Sequence, residues 1–224
     1  GRKGFIRNLY ASEIIAQVVL IHRELLQKEK KGVSHVVYMG MGEPLENYEA
    51  VLTSIRQLVD ASSFGLSQRR MTLSTVGVLE GLVRLMNEGW LRINLALSLH
   101  APNQEIRQKI IPYARKYPLE DVLKAVQGYQ KASGRDVTYE YILIDEINSL
   151  PIHAQELGKL LEGQQCTVNL IPYNPNPNLP FKKPSRDVVE AFQKELSRLH
   201  IHSTCRYTKG DDIAAACGQL ALQE

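Results

Sequence analysis

The sequence is short of several things, and each shortage narrows the choice. No apolar run approaches the roughly 18 residues that a membrane span needs. The basic start, Gly1-Arg2-Lys3-Gly4-Phe5-Ile6-Arg7, has no apolar stretch like that of a signal peptide. Cysteine is scarce: three in 224 residues, an odd number at wide spacing. That excludes a disulfide framework and points to a reducing, cytoplasmic setting. There is no C-x-x-C and no H-x-x-x-H, so zinc spacing is lacking too. Charge of one sign is also short. The 27 basic and 24 acidic residues leave a net +3, too little to demand a polyanionic partner and not enough to oppose one.

What is present is ordinary for a soluble protein with a core: 44% apolar and 23% charged residues. A disordered tail, a coiled coil and a collagen are excluded, and no internal repeat can be aligned. The length suits one domain or slightly more.

Along the chain, strand-like runs alternate with helix-like runs. Ser12 is placed to cap a helix carrying Ile14, Ile15, Val18, Val19, Ile21, Leu25 and Leu26 at helical spacing. The run 33–39 reads as a buried strand and 48–61 as a helix with Val51, Ile55, Leu58 and Val59 on one face. Strands follow at 71–74, 93–98, 137–144, 167–171 and 201–206. Helices are expected at 78–88, 104–111, 119–132, 151–161, 187–199 and 211–222, with Gly89 and Gly134 as stops. Such alternation implies a mostly parallel sheet with helices outside it, either an open or closed (β/α) barrel or a doubly wound sheet. Five of the ten prolines lie between 171 and 185, with Asn174, Asn176 and Asn178 among them. Proline at this density forbids a helix or a central strand, so a long, stiffened, functional loop is expected.

Ligands of parallel α/β folds sit at the carboxyl ends of the strands. The residues there are Gly40-Met41-Gly42-Glu43-Pro44, Ser74-Thr75, Ser98-Leu99-His100, Asp145 with Asn148, and Pro172-Tyr173-Asn174. Glycines allow close backbone approach. The Glu43 carboxylate suits an ammonium group, and Ser74, Ser98 and Asn174 suit a carboxylate or sugar hydroxyls. Each also has a plain structural reading. Glu43-Pro44 suits a helix start, His100 a loop, and His22, His200 and His202 the framework. Cys166 and Cys205 suit buried thiols, and Cys217 a tight helix contact. A polar ligand is inferred from their shared placement at the strand tops.

Five segments carry a resemblance. They are Tyr38-Met39-Gly40-Met41-Gly42-Glu43-Pro44-Leu45, Thr72-Leu73-Ser74-Thr75, Leu97-Ser98-Leu99-His100-Ala101-Pro102-Asn103, Asn169-Leu170-Ile171-Pro172-Tyr173-Asn174-Pro175, and Gly210-Asp211-Asp212-Ile213 through Ala216-Cys217-Gly218-Gln219-Leu220. In this order they resemble the dual-specificity radical SAM RNA methyltransferases, the RlmN/Cfr family. The resemblance implies an α/β fold: a partial (β/α) TIM-like barrel of the radical SAM type, spanning residues 1–224 and missing its first strand. It also implies S-adenosyl-L-methionine and a 4Fe-4S cluster as cofactors. Gly42 and Glu43 would hold the amino end of S-adenosylmethionine. Ser74, Ser98, Leu99, His100 and Asn174 would complete its binding, and Cys217 would carry the methyl group as S-methylcysteine.

In the implied chemistry one S-adenosylmethionine methylates Cys217. A second, cleaved reductively at the cluster, yields a radical that activates the S-methyl carbon. That carbon then adds to C2 of an adenine in 23S rRNA and in some tRNAs, with electrons from a donor such as flavodoxin. A C8 target, as in Cfr, or a non-catalytic remnant that binds S-adenosylmethionine or RNA, are the alternatives; so, more distantly, is an unrelated (β/α) enzyme. The family holds its cluster with C-x-x-x-C-x-x-C, which is absent here, and Gly4-Phe5-Ile6-Arg7-Asn8-Leu9 resembles the stretch just after it. The cluster cysteines are therefore expected upstream of Gly1, along with the first strand, the resolving cysteine and the RNA-binding domain. The chain alone is expected to be inactive, with an exposed sheet edge. Arg69-Arg70, Lys182-Lys183 and Lys209 are candidate phosphate contacts near the rim, and Tyr173 a base-stacking candidate.

Overall fold

A computed structural model describes residues 5–40, 42–175 and 179–205. The expected helix 211–222, with Cys217, and Lys209 lie outside the described residues, as do Met41, Asn176 and Asn178.

Among the described residues six parallel strands form one sheet in the sequential order β1-β2-β3-β4-β5-β6. They are β1 (Val36–Tyr38), β2 (Met71–Thr75), β3 (Asn94–Ser98), β4 (Val137–Leu143), β5 (Cys166–Pro172) and β6 (Ser203–Cys205). Among the described residues seven α-helices connect and flank them: α1 (Ala11–Glu29), α2 (Tyr48–Val59), α3 (Leu79–Asn87), α4 (Gln104–Ile110), α5 (Leu119–Ser133), α6 (Pro151–Leu160) and α7 (Arg186–Arg198). A doubly wound sheet would reverse its strand order partway. The order here never reverses, which leaves the open (β/α) barrel architecture.

Successive side chains of a strand point to opposite faces, and the two faces of this sheet differ in chemistry. One carries Met71, Leu73, Leu95, Leu97, Val137, Tyr139, Tyr141, Leu143, Val168 and Leu170, all buried and packed in one core with Leu58, Leu82, Val126, Leu157 and Phe192 of the helices. The register places the other face in rows: Ser74, Ala96, Thr138 and Thr167 in one, Ser98, Glu140, Asn169 and Thr204 in the next. Asn169 Nδ2 donates to Glu140 Oε2 (2.8 Å), and Thr204 Oγ1 to Asn169 Oδ1 (3.2 Å). The helices thus cover the apolar face; the other is mixed, these polar rows lying among Val37, Ala96, Ile142 and Ile171.

The edge departs from expectation. The helix at the chain's start begins at Ala11, not after Ser12. Glu13 draws its first turn together, accepting from Tyr10 N (2.8 Å) and pairing with Arg7. None of its apolar residues is buried; Ile14 and Val18 pack against the core, while Ile21 and Leu26 stay exposed. The expected buried strand 33–39 shrinks to three residues, with Val37 53% exposed. Both changes follow from position: β1 has a neighbour on one side alone among the described residues, so its alternate side chains lack cover. Pro172 also lies in β5, against the expectation. It pairs with Leu143 of β4, and among the described residues the β5–β6 pairing reaches Leu170↔Cys205. Helix α3 stops at Asn87, with Glu88 N donating to Leu85 O, and Gly89 is not in the left-handed region.

The turn after β2 depends on Gly77, whose φ is +94°. A Cβ there would stand 2.6 Å from Val122 Cγ1 and 3.2 Å from Leu97 Cδ1. Gly77→Ala therefore combines backbone strain with overpacking, and urea denaturation should show a loss of about 2–3 kcal/mol.

Candidate ligand site at the strand tops

The carboxyl ends of the first four strands are tied together by polar side chains. After β1, Gly40 (φ +139°) and Gly42 (φ +94°) hold conformations that side chains disfavour, and among the described residues no atom lies within 4 Å of an added Cβ at either. The backbone there is open to a ligand. Glu43 begins a short 3-10 helix at Pro44–Glu46, as its plain reading allowed. Its Oε1 accepts from Leu45 N (3.0 Å) and Thr75 Oγ1 (2.7 Å), its Oε2 from Val76 N (2.9 Å). The carboxylate thus pins the top of β1 to the top of β2 and keeps lone-pair capacity for a further donor. Burial raises its pKa, and the three hydrogen bonds oppose that rise.

Arg107, on α4, links the next two tops. It is fully buried. Nη2 donates to Val76 O (2.6 Å) and Ser98 O (3.2 Å), and Nε to Leu99 O (3.2 Å). Among the described residues Nη1 is buried without a partner. Desolvation lowers its pKa to about 10, so it remains a cation at neutral pH.

His100 joins β3 to β4. Its φ is +56°. Leu99 N and His100 N both donate to Glu140 O (3.0 and 3.1 Å), and the ring Nδ1 accepts from Ile142 N (3.1 Å). Asn148 holds it from the other side. Nδ2 donates to His100 O (2.8 Å) and Ile142 O (2.6 Å), while Oδ1 accepts from Ile144 N (2.7 Å). Burial, and next the Arg107 charge, depress the His100 pKa to about 4. With Nδ1 an acceptor, the neutral ring carries its proton on Nε2.

Of the expected site residues, Gly42, Glu43, Ser74, Ser98 and His100 gather at adjacent strand tops or on the polar sheet face just below. The Ser74 and Ser98 hydroxyls engage no partner among the described residues. Asn174 follows the end of β5 and already has a partner. Leu99 is a core residue: its side chain is fully buried and its N–H and C=O are both engaged. Cys217 lies outside the described residues. Cys166 is a half-buried strand residue, its thiol pushed up to about 11 by burial. Tyr173 is buried against Phe181, rings 5.8 Å apart and nearly perpendicular, so it packs under the proline-rich loop rather than offering a stacking face. Arg69 and Arg70 precede β2 and so stand at the opposite end of the sheet from the rim. Lys182 does lie by the rim, where its carbonyl accepts from Asp145 N (3.0 Å). His22 is framework, accepting from Val33 N. Among the described residues, no three His, Cys, Asp or Glu side chains could hold a metal ion, and no helix is long and apolar enough to cross a membrane.

Arg107 is the member that sequence reasoning missed. Its one signal is spacing, four residues after the helix-capping Asn103, whose Oδ1 accepts from Ile106 N.

A sequence profile of the radical SAM superfamily matches residues 10–153. The chain is 59% identical over all 224 residues to the "Probable dual-specificity RNA methyltransferase RlmN 2" of Protochlamydia amoebophila. It is 46% identical over 220 residues (98% of the chain) to the "Probable dual-specificity RNA methyltransferase RlmN" of Trichormus variabilis. It spans 62% and 60% of the length of those two relatives. A crystal structure of a radical SAM methyltransferase from Sphaerobacter thermophilus superposes with a TM-score of 0.93 at 42% identity, over 98% of this chain and 64% of that one.

The depressed His100 pKa has a consequence for acid stability. The folded state keeps the ring neutral down to about pH 4, whereas the unfolded chain takes up a proton near 6.5. Stability from this group is therefore complete above 6.5 and falls away as the pH drops towards 4. His100→Asn, which suits a left-handed backbone, should flatten the pH dependence of Tm between 6.5 and 4.

Proposed function

Because the chain belongs to the radical SAM superfamily, we propose that it is the catalytic part of a radical SAM methyltransferase acting on C2 of adenine in RNA, in 23S rRNA and in some tRNAs. The observation that carries this is the 59% identity along the whole chain to a relative named as a dual-specificity RNA methyltransferase. The C2 choice rests on the resemblance of the proline-rich loop and the Asp211-Asp212-Ile213 segment. We take residues 1–224 as one barrel domain, acting in the cytoplasm with an electron donor such as flavodoxin.

The residues at the strand tops suit the amino-acid end of S-adenosylmethionine, which carries an ammonium and a carboxylate. Among the described residues the rim holds a carboxylate with spare capacity, a buried cation, two unengaged hydroxyls and open glycine backbone. On this proposal Glu43, with the Gly42 backbone beside it, receives the ammonium. Ser74 and Ser98 donate to the carboxylate or the ribose. His100 serves as a neutral Nε2–H donor, never as a base, and Asn174 closes the site from the β5 side. Bound there, S-adenosylmethionine supplies the one-carbon unit, and Cys217 carries it to the base. The described residues do not fit a 4Fe-4S cluster, which takes cysteine thiolates. Its ligands are proposed to come from sequence upstream of Gly1. RNA is proposed to approach the rim beside Lys182 and Lys183, because Arg69 and Arg70 stand at the far end of the sheet.

The test is mass spectrometry of RNA from a host lacking 2-methyladenosine but carrying the complete source gene. Appearance of 2-methyladenosine is expected, and Cys217→Ala should abolish it while leaving S-adenosylmethionine binding in place. Finding 8-methyladenosine instead would move the target to C8. No methylated adenine of either kind would overturn the reading.

A further inference from the structure

Arg107 is a buried cation without a buried anion. Among the described residues no carboxylate pairs with it, and its three hydrogen bonds go to carbonyls. An unpaired buried charge is costly, and carbonyl dipoles compensate it in part. Nη1 remains without a partner among the described residues. A guanidinium serving packing alone would be replaced at less cost by an apolar side chain. What it touches is specific: Val76 O, directly after the β2 top, and Ser98 O and Leu99 O, at the β3 top. Val76 N is in turn held by Glu43. The cation therefore lies directly behind Ser98, on the helix side of the rim. Glu43, the site's own carboxylate, sits on the far side of Val76.

Resting on the cofactor site proposed above, we propose that Arg107 is a positioning residue that gives this site its selectivity for a carboxylate-bearing ligand. It does so in two coupled ways. Its fork holds the Val76 and Ser98–Leu99 segments in one arrangement at the end of the face that Ser74 and Ser98 share by register. Its charge, paired with no carboxylate among the described residues, offsets that of Glu140, the buried carboxylate beside Ser98 in the same row, and so admits an anion in front of Ser98, while Glu43 favours a cation next door. The site thereby reads the zwitterionic end of an amino-acid-derived ligand in one orientation. The guanidinium never touches the ligand, because its nitrogens are sealed behind the strand-end carbonyls.

The test compares S-adenosylmethionine with decarboxylated S-adenosylmethionine, by equilibrium dialysis on the protein expressed from the complete source gene. Wild type should prefer the carboxylate form. Arg107→Lys keeps the charge and should keep most of that preference. Arg107→Gln keeps a donor but loses the charge, and its preference should shrink about tenfold, the effect of roughly 1.4 kcal/mol of lost Coulomb attraction. A purely structural arginine would weaken both ligands equally and leave the ratio unchanged; that result overturns the proposal. So does a wild type that binds both forms alike, a comparison that needs no variant to fold. A wild type that binds neither overturns the cofactor site itself, which is a separate outcome.

Discussion

The strand tops are held by one continuous set of side-chain hydrogen bonds, and the site exists because of it. Glu43 ties the first top to the second, Arg107 the second to the third, and His100 with Asn148 the third to the fourth. Parallel strands leave backbone groups unpaired where they end, and buried groups of that kind must find partners. Loops of this protein satisfy several of them with buried polar side chains. The loops are thereby fixed to one another rather than each to its own strand, which is the rigidity a binding site needs.

The two faces of the sheet explain why the site is where it is. Tyr139, Tyr141, Leu95, Leu97 and Val168 direct one face into the helices and bury it. The other face carries Ser74 and the row Ser98, Glu140, Asn169 and Thr204, in which β4, β5 and β6 exchange side-chain hydrogen bonds, with Ile142 and Ile171 beyond it. A polar row is costly in a dry core but suits a face meant to receive a polar ligand. The same period of two that builds the core therefore builds the floor of the site.

The order and type of elements from β2 to β6 were legible in the sequence, because each element buries one face and shows the pattern of doing so. Val51, Ile55 and Leu58 on α2 and the strand 137–143 were found within a residue or two of their ends. The edge was not legible, because burial there depends on a neighbour rather than on the residues themselves. Ile21 and Leu26 are as apolar as core residues, yet they remain exposed. At the rim, the placement of Gly40, Gly42, Glu43, Ser74 and Ser98 at or near strand ends was legible, because it follows from the strand boundaries alone. That of Arg107 was not, because a lone arginine in a helix full of Gln, Glu and Lys has the appearance of solvated surface. Its burial is a tertiary fact: three carbonyls from two strands converge on one guanidinium. The placement of Arg69 and Arg70 failed for a related reason. Basic residues beside a strand say nothing about which end of the strand they flank until its direction in the sheet is known.

His100 shows how the framework constrains chemistry. A histidine at a strand top invites the role of general base, since its ordinary pKa lies near neutrality. Here Nδ1 is committed to the Ile142 amide and Arg107 stands nearby, so protonation would forfeit a hydrogen bond and place two cations together in a buried setting. The ring is held neutral, with one fixed tautomer and one available N–H. The same Arg107 that admits an anion at Ser98 thus denies His100 a proton. A rim arranged this way is suited to holding a charged ligand in one orientation, and poorly suited to moving protons on or off it. That division fits a site whose protein groups position a reactive cofactor and leave the bond-making to the cofactor's own chemistry.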